Sequence, residues 1–154
     1  MSRQEEAAAS LEAASAELAA FIASCPDEVW HKTVDGDGRT VAALAAHCAI
    51  GNDVALAWIL QLMAGRPVLE TPEMHDARNA TEGERFARAP KAGIADALRR
   101  STERTARFLR SLADDELDRM EMLGVAGREV TVGRFVANFG RHMAVHLESM
   151  KTAL

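Results

Sequence analysis

Two long, strongly apolar helical stretches that carry histidines on their inward faces constrain this fold more than anything else in the chain. One stretch, Val41 to Met63, holds His47; the other, Thr131 to Leu154, holds His142 and His146. Residues four apart stack on one helix face, with Cβ atoms roughly 5–6 Å apart, so His142 and His146 are neighbours. At about 100° per residue, Leu44, Cys48, Gly51, Ala55, Trp58 and Leu62 form one apolar stripe. His47 falls within that stripe, on the side shared with Val54 and Trp58. In the C-terminal stretch the stripe is Val132, Phe135, Val136, Phe139, Met143, Leu147 and Met150, with His146 inside it and His142 on its edge. Burying both stripes turns three imidazoles toward one interior, where an unpaired polar group costs about 1–3 kcal/mol.

Two further helices complete the pattern. The first runs from Gln4 to Ser24 and stops at Cys25-Pro26, because proline disfavours helix in the residue before it. Val34-Asp-Gly-Asp-Gly-Arg39 is turn sequence, Thr40 caps the second helix, and Gly65-Arg66-Pro67 ends it near Ala64. The third spans about Lys91 to Ala113, opened by Pro90 and closed by Asp114-Asp115-Glu116. The fourth begins at Thr131, a second threonine cap, and is expected to continue unbroken to the C-terminus. Glu129 to Val132 is the only stretch with strand character.

The connections carry the topology. About 26 residues, Gly65 to Pro90, separate the second and third helices. Adjacent antiparallel helices usually need roughly 2–8. A link that long can travel the length of a bundle and let the second and third helices run parallel. The reading is an all-α four-helix bundle, up-down-down-up, formed by a single domain over residues 1–154. The linker, with Pro72, His75 and Glu82-Gly-Glu84, is expected to hold a short helix lying over one bundle end.

A net charge of −5 with no basic cluster argues against nucleic acid and anionic membranes as partners. No uninterrupted apolar run reaches the roughly 18 residues of a membrane span. The acidic, alanine-rich start after Arg3 is unlike a signal peptide. Cys25 and Cys48 cannot make a disulfide framework, so a reduced, cytoplasmic protein is the simpler reading.

Two imidazoles four apart and a third from a facing helix make a tripod for one metal ion. Three neutral ligands leave coordination positions open, as catalytic sites require. The competing reading is that each histidine is a satisfied core or cleft residue, and spacing alone leaves both open. His31 lies in a Glu28-Val-Trp-His match, but di-iron bundles need two such motifs and two more carboxylates. His75 reads as exposed linker, with the bundle mouth as the alternative. His142-Met143-Ala-Val-His146 has a methionine where a zincin needs its general-base glutamate. Cys48 points about 100° away from His47 and reads as core; Cys25 is expected to be partly exposed.

Gly38-Arg-Thr-Val-Ala-Ala-Leu-Ala-Ala-His47-Cys-Ala-Ile resembles the segment of DinB-like proteins that leads into their first metal histidine. Phe135-Val-Ala-Asn-Phe-Gly-Arg-His142-Met-Ala-Val-His146-Leu-Glu-Ser-Met resembles their C-terminal helix. The resemblance implies an up-down-down-up bundle, His47, His142 and His146 as ligands of zinc or a nickel-like divalent metal, and a homodimer. Family members include bacillithiol S-transferases and mycothiol-dependent isomerases, so it also implies a low-molecular-weight thiol. The family often reads Arg-Gly-Gln after the last histidine, where this chain has Leu147-Glu148-Ser149.

A metal held by three neutral imidazoles keeps its full charge and can make either hydroxide or thiolate available near neutral pH. The leading expectation is therefore a metal-dependent thiol S-transferase or hydrolase acting on a small molecule. The alternatives are a metal- or ligand-binding bundle without turnover and a purely structural dimer. Gly51 would leave space beside the metal, Trp58 and Phe139 would wall a pocket, and Asn138 and Ser149 are candidate substrate contacts. No general base is evident.

Overall fold

The computed structural model describes residues 1–154. Its first long helix, α1 (Arg3–Ser24), is capped by Ser2, whose side chain accepts from the Glu5 N–H, and is followed by the single turn α2 (Asp27–Trp30). Thr40 caps α3 (Val41–Met63) by accepting from the Ala43 N–H at 3.1 Å. Gly65, at φ 68°, ends α3 in a Schellman turn, with Gly65 N–H donating to Leu62 and Arg66 N–H to Gln61. The linker forms α4 (Pro72–Phe86), and α5 (Lys91–Ser111) and the short α6 (Asp114–Leu117) follow. A hairpin of β1 (Met120–Leu123) and β2 (Arg128–Thr131) leads into α7 (Val132–Val136) and α8 (Phe139–Lys151).

Contacts along the helices fix their directions. Ser15 on α1 meets Thr102 on α5, while Gln4 reaches Leu112, so α1 and α5 are antiparallel. Ala46 and Ile50 border one cavity with Ile94 and Ala97, while further along Asp53 meets Arg104, so α3 and α5 run parallel. Trp58 packs near Phe135 on α7 while His47 packs near His142 and His146 on α8, which sets α3 antiparallel to the α7–α8 pair. The bundle is up-down-down-up, as the long linker predicts. Helices α1 and α3 are long and apolar enough, by length and mean hydropathy, to cross a membrane. Here they bury their apolar faces in the bundle, where Leu11, Leu18, Leu44, Ile59 and Leu62 are almost fully enclosed.

The structure corrects three expectations. The fourth helix is broken between α7 and α8. Asn138 Nδ2 donates to the Arg134 carbonyl at 2.9 Å, while the Asn138 N–H turns to Phe135 O at 3.1 Å. A side chain that takes the i−4 carbonyl displaces the regular helical bond and bends the axis. The linker helix does not lie over a bundle end. It runs antiparallel along α3, from His75 beside Trp58 to Ala87, whose carbonyl accepts from Thr40 Oγ1 at 2.9 Å. Cys25 is buried, at 3% exposed, rather than open to solvent. The strand character at Glu129 to Val132 becomes β2, paired antiparallel with β1 through Glu121 and Val130.

Candidate metal centre

Helix α3 presents His47 and α8 presents His142 and His146, one turn apart. The His142 and His146 Nε2 atoms are 3.1 Å apart, and one ligating nitrogen from each of the three histidines lies within 4.8 Å of the others. The ring of His47 stands 5.5 Å from that of His142 and 4.9 Å from that of His146, centre to centre. His47 is buried, His146 half-buried and His142 exposed, so the cluster sits at the edge of the bundle with one open side. Gly140 sets this edge. An added Cβ would run into the Ser10 backbone and hydroxyl, so glycine lets α8 approach α1 closely just before His142.

The linker helix closes the back of His47. His47 Nδ1 is buried without a hydrogen-bond partner and lies 3.9 Å from Glu82 Oε2, which is equally buried and unpartnered. That separation is beyond hydrogen-bond range, yet it aims Nδ1 at a carboxylate and leaves Nε2 for the other two rings. Glu82 is held in turn by Arg78, whose Nη1 donates to Glu82 Oε1 at 3.3 Å. Arg78 Nη2 donates to Glu70 Oε1 at 2.9 Å, and His75 Nδ1 lies 3.0 Å from the same oxygen. Arg39 lays its stem against Gly83 and pairs with Asp37 through Nε at 2.7 Å and Nη2 at 2.9 Å.

Burial first, and then Arg39 and the neighbouring rings, favour the neutral imidazoles. His47 is pushed down to about 3, first by burial and then by Arg39 and the neighbouring histidines. His146 is lowered to about 4 by burial and then by His142. Burial also lowers His142, followed by His75 and Arg39. A neutral imidazole is the form that ligates a metal, so nothing has to be deprotonated at pH 7. The thiols offer no competing chemistry. Burial pushes Cys48 up to about 12 and also raises Cys25.

Beside the histidines lies a cavity of about 180 Å³. His47, Gly51, Trp58, Asn138, Phe139 and His142 are among its lining residues. The space beside Gly51 is open, with nothing within 4 Å of where a Cβ would stand. Ser149 does not line the cavity; its hydroxyl donates to the Val145 carbonyl at 3.2 Å. His31 stays exposed at the end of α2, away from the cluster. His75 does reach the mouth, 6.0 Å from Trp58 ring to ring. Sequence reasoning missed Asn52 and Arg78 in the lining and Glu82 behind His47. Helical spacing of His75, Arg78 and Glu82, which puts all three on one face, was the available sign.

The fold has a solved counterpart. YfiT from Bacillus subtilis, described as a probable metal-dependent hydrolase with an unusual four-helix bundle topology, superposes with a TM-score of 0.78 at 18% identity. The match covers 97% of this chain and 85% of that one. No curated protein matches significantly. Residues 10–150 fit the sequence profile of the DinB superfamily, and those residues include all three clustered histidines. The chain belongs to the DinB superfamily.

Proposed function

We propose that this protein is a metal-dependent enzyme in which His47, His142 and His146 hold one divalent ion, zinc or nickel, and that it activates water or a low-molecular-weight thiol toward a small molecule in the adjoining cavity. The observation that carries the reading is the three-nitrogen cluster with Glu82 aimed at the back of His47. Ligating histidines commonly direct their second nitrogen to a carboxylate, which fixes the tautomer and raises the basicity of the ligand. The orphaned Nδ1 and Oε2 therefore fit an ion on the far side of the ring. A divalent ion held there supplies a lowered pKa to coordinated water and deprotonates a coordinated thiol. The protein's own part is to keep three imidazoles neutral, hold them on two rigid helices, and leave the cavity side of the cluster uncovered.

Hydrolysis is the chemistry ascribed to YfiT, and S-transfer is the chemistry the family resemblance suggests; the cluster serves either. One observation favours the reading without turnover. No carboxylate lines the cavity, since Glu82 stands behind His47, so no general base faces the substrate space. We also take the protein to be a cytoplasmic homodimer. The outer face of α1 exposes Ala13, Ala16 and Ala20, a flat surface on which a second copy can pack. Light scattering should then report twice the 16.6 kDa monomer mass.

Elemental analysis of protein made without a histidine tag tests the metal. One zinc or nickel per chain is expected. His146→Ala should bring this to background while leaving the metal-free fold close to its original stability, because His142 is exposed and His47 borders the cavity. Absence of metal from the wild type after incubation with either ion would remove the proposal. A loaded sample screened with low-molecular-weight thiols and with simple esters and amides then separates transferase, hydrolase and binding protein.

A further inference from the structure

Asn52 lies on α3 beyond His47, is only 6% exposed, and lines the cavity. Its side-chain nitrogen sits 3.1 Å from Ser101 Oγ and 3.4 Å from Thr102 Oγ1, both on α5. Chemistry decides which way round this amide lies. The Ser101 hydroxyl spends its single proton on the Leu98 carbonyl at 3.2 Å, so its oxygen can only accept from Asn52. The atom facing Ser101 must then be the amide nitrogen. Thr102 is tied at 2.8 Å to Ser15 on α1, so groups from three helices immobilise the amide. Both N–H groups point toward α5, and Oδ1 takes no protein partner. Toward the cavity, Asn52 is an acceptor and nothing else.

The rest of the lining agrees. Asn138, at the exposed rim, spends one N–H on the Arg134 carbonyl and keeps a free amide oxygen and a second N–H. Arg78 is committed to Glu70 and Glu82. The remaining walls are largely apolar and aromatic, with Trp58, Phe135 and Phe139 foremost. The charge of Arg78 is offset by Glu70 and Glu82, and no carboxylate lines the cavity, so the walls offer neither an anion nor a cation an unpaired counter-charge.

We infer that the cavity takes a neutral ligand with an apolar or aromatic body and an N–H or O–H donor, and that Asn52 Oδ1 is the specificity-determining acceptor for that donor. The inference deepens the reading of the cavity as a small-molecule site and rests on it, but it does not need the metal. N-methylbenzamide and methyl benzoate make a matched pair of probes, nearly identical in shape, with an amide N–H in one replaced by an ester oxygen in the other. Binding is followed by NMR titration of metal-free protein, so failure of the metal proposal and failure of this one appear separately. Wild type should prefer the amide by about three- to tenfold, the worth of one hydrogen bond. In Asn52→Leu the preference should disappear. Ser101→Ala leaves Asn52 in place but frees the amide to turn, so it should weaken the preference, and it decides the matter if Asn52→Leu does not fold. Equal binding of the two probes by wild type, a preference that survives both variants, or failure to bind either probe overturns the inference.

Discussion

The two long sides of this bundle are built on different terms. Where α1 meets α5 and α8, packing carries most of the structure, with Gln4 Oε1 and Thr105 Oγ1 as the unpartnered buried polar atoms of those helices. Leu11, Leu18, Leu109, Met143 and Leu147 are almost completely enclosed, and the buried polar side chains of Ser15 and Thr102 satisfy each other. Where α3 faces α8 and α4, four buried polar atoms have no partner: Arg39 Nη1, His47 Nδ1, Asn79 Oδ1 and Glu82 Oε2. Native proteins leave few such groups, because each carries a desolvation penalty. The first side is mainly an apolar seam, and the second gathers its unpaired polar atoms around the histidines.

The sharpest break of that comparison is Leu11→Ala. Removing a fully enclosed leucine from the α1 seam should cost about 2–5 kcal/mol, read from chemical denaturation. The folded fraction should still bind metal with unchanged stoichiometry; lost metal would mean that the two sides are not separable. Glu82→Gln acts on the other side. It keeps the shape but removes the charge behind His47, so metal affinity should fall about 10–100-fold with little change in metal-free stability. An unchanged dissociation constant would show that Glu82 does not orient His47.

Acid should distinguish the sides as well. In the metal-free fold His47 resists protonation down to about 3, whereas in the unfolded chain it protonates near 6.5. The unfolded state therefore binds more protons in between, and stability is full above about pH 6.5 and falls as pH drops toward 3. The slope from His47 alone should approach about 1.4 kcal/mol per pH unit. Denaturation midpoints at pH 7.5, 6 and 5 would show it, and His47→Gln should reduce the slope while leaving the part that His146 and His142 contribute. The smallest effect is expected at Arg110, which pairs across the surface with Glu5 and Glu12 at 2.7–3.0 Å. Arg110→Met should barely move the midpoint, and less still in high salt.

The sequence made one half of this site readable and hid the other. His47, His142 and His146 stood on apolar stripes with helical period, and that period exists because the same faces fill the core. The parallel run of α3 and α5 followed from the length of the linker. The linker's own position left no such trace. No residue of α4 is buried, so burial imposed no apolar period on Pro72 to Phe86, and only the shared face of His75, Arg78 and Glu82 hinted that it packs beside the site. Glu82 and Arg78 accordingly went unnoticed, although the structure sets them behind and beside His47. The break at Asn138 was hidden for another reason. It depends on a side-chain amide capturing the Arg134 carbonyl, a local bond that asparagine makes in some helices and not in others.

The freedom of α4 bears on how such a protein can change over generations. Its ends are fastened, at Val68 to Met122 and at Ala87 to Thr40, while of its own apolar side chains only the partly buried Phe86 packs against the core. Most mutations in a protein are screened first by whether the molecule still folds. From Pro72 to Arg85 that screen is weak, so variation there is judged more by the cavity than by the bundle. A lineage can therefore rewrite the outer wall of the site, and with it the choice of ligand, while the histidines and the helices that carry them stay as they are.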